Sequence, residues 1–355
     1  MRNRWCSRGR ALQTVCIGAL LIGPVHAAPF AYIANQNSGT VSVIDTASNA
    51  VVASPTVGTG PFGLVVSPDG TSVYVVNNGG GTVSVIDTAT NTVVGSPITV
   101  GAGPQGAAVT PDGTRLYVTN TGAGSVSVID TTTNTVVTAP IVVGTNPAGL
   151  AITPDGTRVY VANWGSNDVS VIDTATDTVV GATIPTGASP YGVAVSPDGA
   201  RIYVANSYNG EGGNSVSVID TATNSVVATP AVGAGPVGVA VSPGGTRVYV
   251  ANQLSSNVSV IDTATNTVLG APIPVGGYPT GLAITPGGSR IYVANWSSDT
   301  VSVIDTASNG VVGAPIPVGD APVALGLFIQ AVVPHWIFAN GFESAGAPIR
   351  STVWP

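Results

Sequence analysis

No lysine occurs anywhere in the 355 residues, and charged residues of every kind make up only 8% of the chain. A Schiff-base lysine is therefore excluded. The two histidines, His26 and His335, flank a long repetitive body that contains none. No histidine-based triad, histidine metal cluster or axial haem ligand can be built inside that body. Both cysteines, Cys6 and Cys16, lie near the N-terminus, so the rest of the chain has no disulfide, thiolate metal site or thiol nucleophile. Long apolar runs are missing too. Hydrophobic residues reach 44%, yet after residue 27 they come only as short valine-rich stretches cut by Gly, Asn, Asp, Thr and Pro. That pattern excludes a membrane-spanning helix in the body.

The first 27 residues read as a secretory leader. Arg2, Arg4, Arg8 and Arg10 form a basic start, Ala11 to Ile22 a mostly apolar core, and Val25-His26-Ala27 a small-residue cleavage pattern. The expectation is export to the periplasm, the cell surface or beyond, with no membrane insertion after cleavage. Both cysteines leave with the leader. Six arginines then face seventeen acids, a net of −11. Such a surface repels nucleic acid.

One phrase, Val-Ser-Val-Ile-Asp, recurs seven times, its aspartates at Asp45, Asp87, Asp130, Asp173, Asp220, Asp262 and Asp305. A period near 43 with strand-like content points to a propeller or a solenoid. Each unit holds four short runs rich in Val, Ile and Tyr, separated by turn residues. Pro-Asp-Gly sits between the first two runs, where Pro presets φ and Gly accepts a positive one. Asp-Thr-Ala-Thr-Asn sits between the third and fourth, where the Asp side chain can close an Asx turn. The chain enters in mid-unit at Tyr32-Ile-Ala-Asn35, and the missing first run appears at Pro322 to Ile329. The reading is all-β: a seven-bladed propeller of four-stranded antiparallel blades over residues 29–330. One C-terminal plus three N-terminal strands close the ring, and a tail occupies residues 331–355.

Tyr117-Val-Thr-Asn120 and its variants at Tyr74, Tyr160, Tyr203, Tyr249 and Tyr292 resemble the signature of the YVTN, or YncE-like, β-propeller repeat family. The resemblance implies a propeller on an exported, surface-layer-type bacterial or archaeal protein and carries no reaction with it. The asparagine that ends each signature is expected to tolerate a left-handed conformation and open a loop. The arginines at Arg115, Arg158 and Arg201 stand where they can pair with the Pro-Asp-Gly acids of their own hairpins. The tail stretch Pro334 to Glu343 resembles a short Phe-x-x-Gly-Phe-Glu ending of secreted bacterial proteins.

Strand counting puts the Pro-Asp-Gly and Asp-Thr turns on one face, nearly identical in every unit. The second-to-third loops and blade-to-blade loops open on the other face, and these vary. Variable loops on a rigid scaffold are where binding residues sit. The candidates there are Trp164, Asp168, Tyr191, Tyr208, Glu211, Tyr278, Trp296 and Asp299. An exposed indole near a carboxylate suits a sugar ring or a cationic group. Packing of Trp164 and Trp296 against neighbouring loops is the structural alternative. The remaining x residues of the blade-to-blade Pro-x-Gly segments on this face include Phe62, Gln105 and Thr280.

With polar residues so repetitive, the expected function is a non-catalytic binding or scaffold propeller recognising a glycan or a protein at the cell envelope. The alternatives are a structural surface coat or, third, an enzyme in which Asp168, Asp299 and Asp320 converge. Seven-bladed lactonases and some lyases resemble the chain by architecture only. No catalytic residue, metal or organic cofactor is implied.

Overall fold

The computed structural model describes residues 29–207 and 213–329. The leader, the tail, Tyr208 and Glu211 lie outside the described residues. Within them the chain folds as seven antiparallel sheets, the seven-bladed ring expected from the repeats. The third blade shows the pattern: Pro147–Ile152 innermost, then Arg158–Asn163, Asp168–Asp173, and an outer strand in two pieces, Thr178–Val179 and Ile184–Pro185, both paired with Asp168–Asp173. In the seventh blade Phe30–Asn35, Thr40–Asp45 and Ala50–Ala53 take their inner strand from Pro322–Val323. Past that strand the closing segment bonds to both sides. Phe328 accepts from the Tyr32 amide at 2.9 Å, and Leu325 accepts from the Leu64 amide of the first blade at 3.0 Å.

β-Branched side chains fill the space between blades. Val, Ile and Tyr of the two middle strands are almost wholly buried in every blade and pack into clusters that join one sheet to the next. The repeated tyrosines are buried in this layer, and several hand their hydroxyl to the following blade. Tyr160 donates to Asn224 at 2.8 Å, Tyr32 to Asn91 at 3.0 Å, and Tyr292 to Asn49 across the closure at 2.7 Å. A buried phenol needs such a partner. The acceptors Asn91, Asn224 and Asn49 are the left-handed residues of the third-to-fourth turns.

The asparagines that end the tyrosine strands behave otherwise than expected. Asn35, Asn77, Asn120, Asn163, Asn206, Asn252 and Asn295 are strand residues, buried, and have no positive φ. Each is a hub. Asn77 donates to Thr82 and Ser84 and accepts from the Gly58 amide of the preceding loop at 3.1 Å. A single buried amide thus ties two strands to the blade-to-blade connection. The arginine expectation also changes. Strand register sets Arg158 opposite Asp173 and Arg201 opposite Asp220, and the ion pairs form there, with Arg115 reaching Asp177 of the next blade. The Pro-Asp-Gly carboxylates instead bind their own turns, as Asp112 does with the Thr110 hydroxyl at 2.5 Å and the Thr114 amide at 3.0 Å.

Near the axis the inner strands converge on a collar of glycines. A Cβ at Gly192 would lie 2.1 Å from the Val237 carbonyl oxygen, and one at Gly281 would lie 1.6 Å from that of Ala324. No side chain fits there. Just before the collar every inner strand begins with proline, and in six blades its register slips between that proline and either the glycine or the residue after it. The irregularity re-aims the residue between Pro and Gly.

Candidate active site

Two repeat positions meet at the variable-face end of the axis. One is the residue between Pro and Gly of the inner strand. The other is the residue that follows each buried asparagine. The first supplies Phe62, Tyr191, Val237, Thr280 and Val323, and the second Trp164, Ser207 and Gln253, to a cavity of about 190 Å³ closed below by Leu325. Gln105, also of the first position, reaches in from the second blade and accepts from the Tyr191 hydroxyl at 3.2 Å. With Gln105 the residues of this mouth come from all seven blades, so no single repeat can display it.

Tyr191 is half-buried by surface, but its hydroxyl is deep among neighbouring residues of the ring. Burial pushes its pKa well above the ordinary tyrosine value, because the phenolate is poorly solvated there. It therefore remains a donor at any physiological pH. Trp164 is 45% exposed and lines the same cavity. The mouth has no charged lining residue among those described. All five arginines among the described residues begin the second strands, at the opposite face.

The other residues singled out in the sequence distribute as follows. Tyr278 and Trp296 pair at the rim, ring centroids 6.2 Å apart and planes tilted by 49°, and the Trp296 indole donates to Gln36 of the seventh blade at 3.3 Å. Asp168 stands where other blades place Thr, Ser or Asn, and accepts from Asn163 at 2.7 Å and Ser166 at 3.1 Å. Asp299 takes a left-handed turn position and accepts from the Ala321 amide at 2.9 Å, as Asn167 does from Ser189. Asp320 accepts from Asn37 at 3.4 Å. Each carboxylate is thus committed to its own junction. Of the predicted group, Trp164 and Tyr191 are the two that share the mouth. Phe62, Gln105 and Thr280, placed on this face by the sequence but not among the candidates, join them, and Ser207 and Gln253 are the partners that sequence reasoning missed. Their signal was positional: every one occupies one of the two repeat positions that face the axis.

Among the described residues no group of three or more His, Cys, Asp or Glu can hold a metal ion, and no helix is long and apolar enough to cross a membrane.

The chain matches the profile of a family described as "Lactonase, 7-bladed beta-propeller" over residues 30–186 and 174–271. Among solved structures it is similar to Kuenenia stuttgartiensis hydrazine synthase, at 29% identity and a TM-score of 0.68, covering 76% of this chain and 90% of that one. It is also similar to the Pseudomonas aeruginosa periplasmic gluconolactonase PpgL, at 22% identity and a TM-score of 0.70, covering 86% and 100%. A Desulfotomaculum acetoxidans protein of unknown function gives 18% identity and a TM-score of 0.71 over 84% and 100%. The last two likenesses are of fold alone. No curated protein sequence matches significantly. The family match overturns the expectation of a non-catalytic binding or scaffold propeller, and with it the view that lactonases resemble the chain by architecture only.

Proposed function

Because the chain belongs to the seven-bladed β-propeller lactonase family, we propose that it is an exported enzyme that opens an uncharged lactone ring at the variable-face mouth. The observation that carries the reading is the Tyr191–Gln105 pair set beside Trp164 in a cavity without charge. Ring opening adds water across the acyl C–O bond. The carbonyl oxygen gathers negative charge as the tetrahedral intermediate forms, and the ring oxygen leaves as an alcohol. Tyr191, held protonated, is the donor for that oxygen once a substrate displaces Gln105. Gln105 and Gln253 offer amides to ring hydroxyls, and the exposed indole of Trp164 suits stacking on the C–H face of a sugar. A preorganised neutral donor in a water-poor cleft is a major source of oxyanion stabilisation.

The charge distribution narrows the substrate. With every described arginine on the far face and Asp168, Asp299 and Asp320 around the near one, a phosphorylated lactone meets no counter-charge. An unphosphorylated aldonolactone meets no penalty. The leader-like first 27 residues support action outside the cytoplasm, and the repeated Tyr-Val-x-Asn signature supports a place in the YVTN branch of such propellers.

The test is acid release from glucono-δ-lactone by the purified protein, followed by titration at constant pH against the spontaneous rate. The expected result is turnover above background, lost in Trp164→Ala and at least about tenfold weaker on the 6-phosphorylated lactone, a difference of about 1.4 kcal/mol in transition-state binding. Background rates across a panel of neutral five- and six-membered lactones would sink the proposal.

A further inference from the structure

Beyond the glycine collar, on the Pro-Asp-Gly face, the axis opens into a second cavity of about 480 Å³. Its wall is drawn from every blade and is aliphatic throughout, with Val109, Ile152, Val195, Val241, Ile284 and Leu327 representative. The hydroxyl of Ser67, a polar exception in the lining, is spent on Asp69 at 2.5 Å. Along one inner strand the lining runs from Gly106 to Val109, a length of about 10 Å at ~3.3 Å per residue, and Pro111 of the following turn extends it. Leu325 contributes to both cavities, and the collar lies between them.

We propose that this cavity is a second binding site, for the alkyl chain of an amphiphile whose head group is not anionic. The volume falls in the range of small-molecule pockets. A wall of aliphatic side chains offers few partners to a ligand atom that needs a hydrogen bond, whereas apolar ligands enter apolar cavities readily. The depth along the axis favours an extended chain. The rim decides the head group. Asp69, Asp112 and Asp155 directly follow the lining prolines Pro68, Pro111 and Pro154. Hydrogen bonds from the Thr110 hydroxyl and the Thr114 amide hold Asp112 below the ordinary carboxylate value, and Thr153 and Thr157 do the same for Asp155. Four of the five arginines of this face are occupied elsewhere, Arg115, Arg158 and Arg201 by Asp177, Asp173 and Asp220, and Arg247 by the Thr306 carbonyl, while Arg290 stands opposite Asp305 in the strand register and interacts with its charge. A fatty acid thus presents its carboxylate to an arc of negative charge on three adjacent blades, while an alcohol, ester or ammonium head does not. This site is independent of the lactone reading, since it uses neither Tyr191 nor Trp164.

The experiment is fluorescence titration of the whole protein with N-phenyl-1-naphthylamine, an uncharged apolar probe, followed by competition with 1-decanol and decanoate. Saturable enhancement is expected, displaced by 1-decanol and about tenfold less effectively by decanoate, a difference of about 1.4 kcal/mol. Ala151→Phe and Ala194→Phe fill the cavity and are expected to weaken the probe about tenfold. Leu327→Asp alters a side chain already 71% exposed, so it leaves folding intact and is expected to weaken the probe at the lip. Absence of saturable binding overturns the proposal. Equal displacement by decanoate overturns the head-group assignment, and unchanged affinity in both Leu327→Asp and a folded filling variant overturns the location.

Discussion

A phenol serves a developing oxyanion only while it keeps its proton, and the deep seat of the Tyr191 hydroxyl ensures that it does. Tyr191→Phe keeps the ring and its packing and removes one donor. The expected effect is a fall in kcat on glucono-δ-lactone of about tenfold to a hundredfold, the lower part of the range for loss of an oxyanion donor. KM and melting temperature should stay close to those of the parent. A variant with unchanged kcat would move the chemistry away from this hydroxyl. Asp168 makes the contrast. It is the more reactive-looking residue in the sequence, yet it fills a repeat position where its neighbours carry Thr40, Thr82 or Ser125, and its oxygen is held by Asn163. What separates the two is whether the repeat position faces the axis or a strand junction. That depends on where the inner-strand irregularity falls, which no one-dimensional pattern displays. Trp164 and Tyr191 were legible as candidates because they break the repeat, whereas Gln105 and Gln253 break it just as clearly but lack the aromatic ring that draws notice.

At the scale of strands and turns the sequence is far more explicit. The Asx turns after the third strands form as their residue types require, with the Asp262 carboxylate accepting from the Ala264 and Thr265 amides. The pairing partner of each arginine was not legible, because register rather than proximity in sequence decides that Arg158 meets Asp173 instead of Asp155. The turns also set an acid limit. Hydrogen bonds from the Thr265 amide and hydroxyl lower the pKa of Asp262, and those of Thr90 and Thr223 lower Asp87 and Asp220. The hydroxyls of Thr110, Thr153 and Ser196, with a backbone amide each, lower Asp112, Asp155 and Asp198. A carboxyl with a folded pKa below its unfolded value stabilises the fold above the unfolded value and loses that contribution as pH falls through the folded one. The melting temperature should therefore hold from neutral pH down to about 4, near the ordinary aspartate value. Below that it should fall steeply, as many equivalent turns protonate together. A Thr265→Ala/Thr90→Ala/Thr223→Ala triple variant removes three of the hydroxyl bonds. A melting temperature measured from pH 7 to 2 should fall less steeply in it. An identical pH profile would show that the turns do not set the limit.

For the whole molecule, closure is the feature that makes seven marginal sheets into one body. Seven units and an offset entry were readable from the spacing of the aspartates and the displaced first strand. The axial cavities were not, because they belong to the ring and to no repeat. The seam is built differently from the other six junctions. Its inner strand is only Pro322–Val323, and the remainder of that segment bonds by backbone to Phe30–Asn35 on one side and Pro61–Val66 on the other. Phe328 is wholly buried there, within a cluster that unites residues of the sixth, seventh and first blades. If the seam closes the ring, its loss must be felt everywhere. Phe328→Ala is expected to cost about 3–5 kcal/mol, the range for removing a buried phenylalanine, and unfolding in urea should remain a single transition. A separate early transition, with the other six blades melting later and unchanged, would show instead that the blades hold one another pairwise. The seam would then be an ordinary end of a stack.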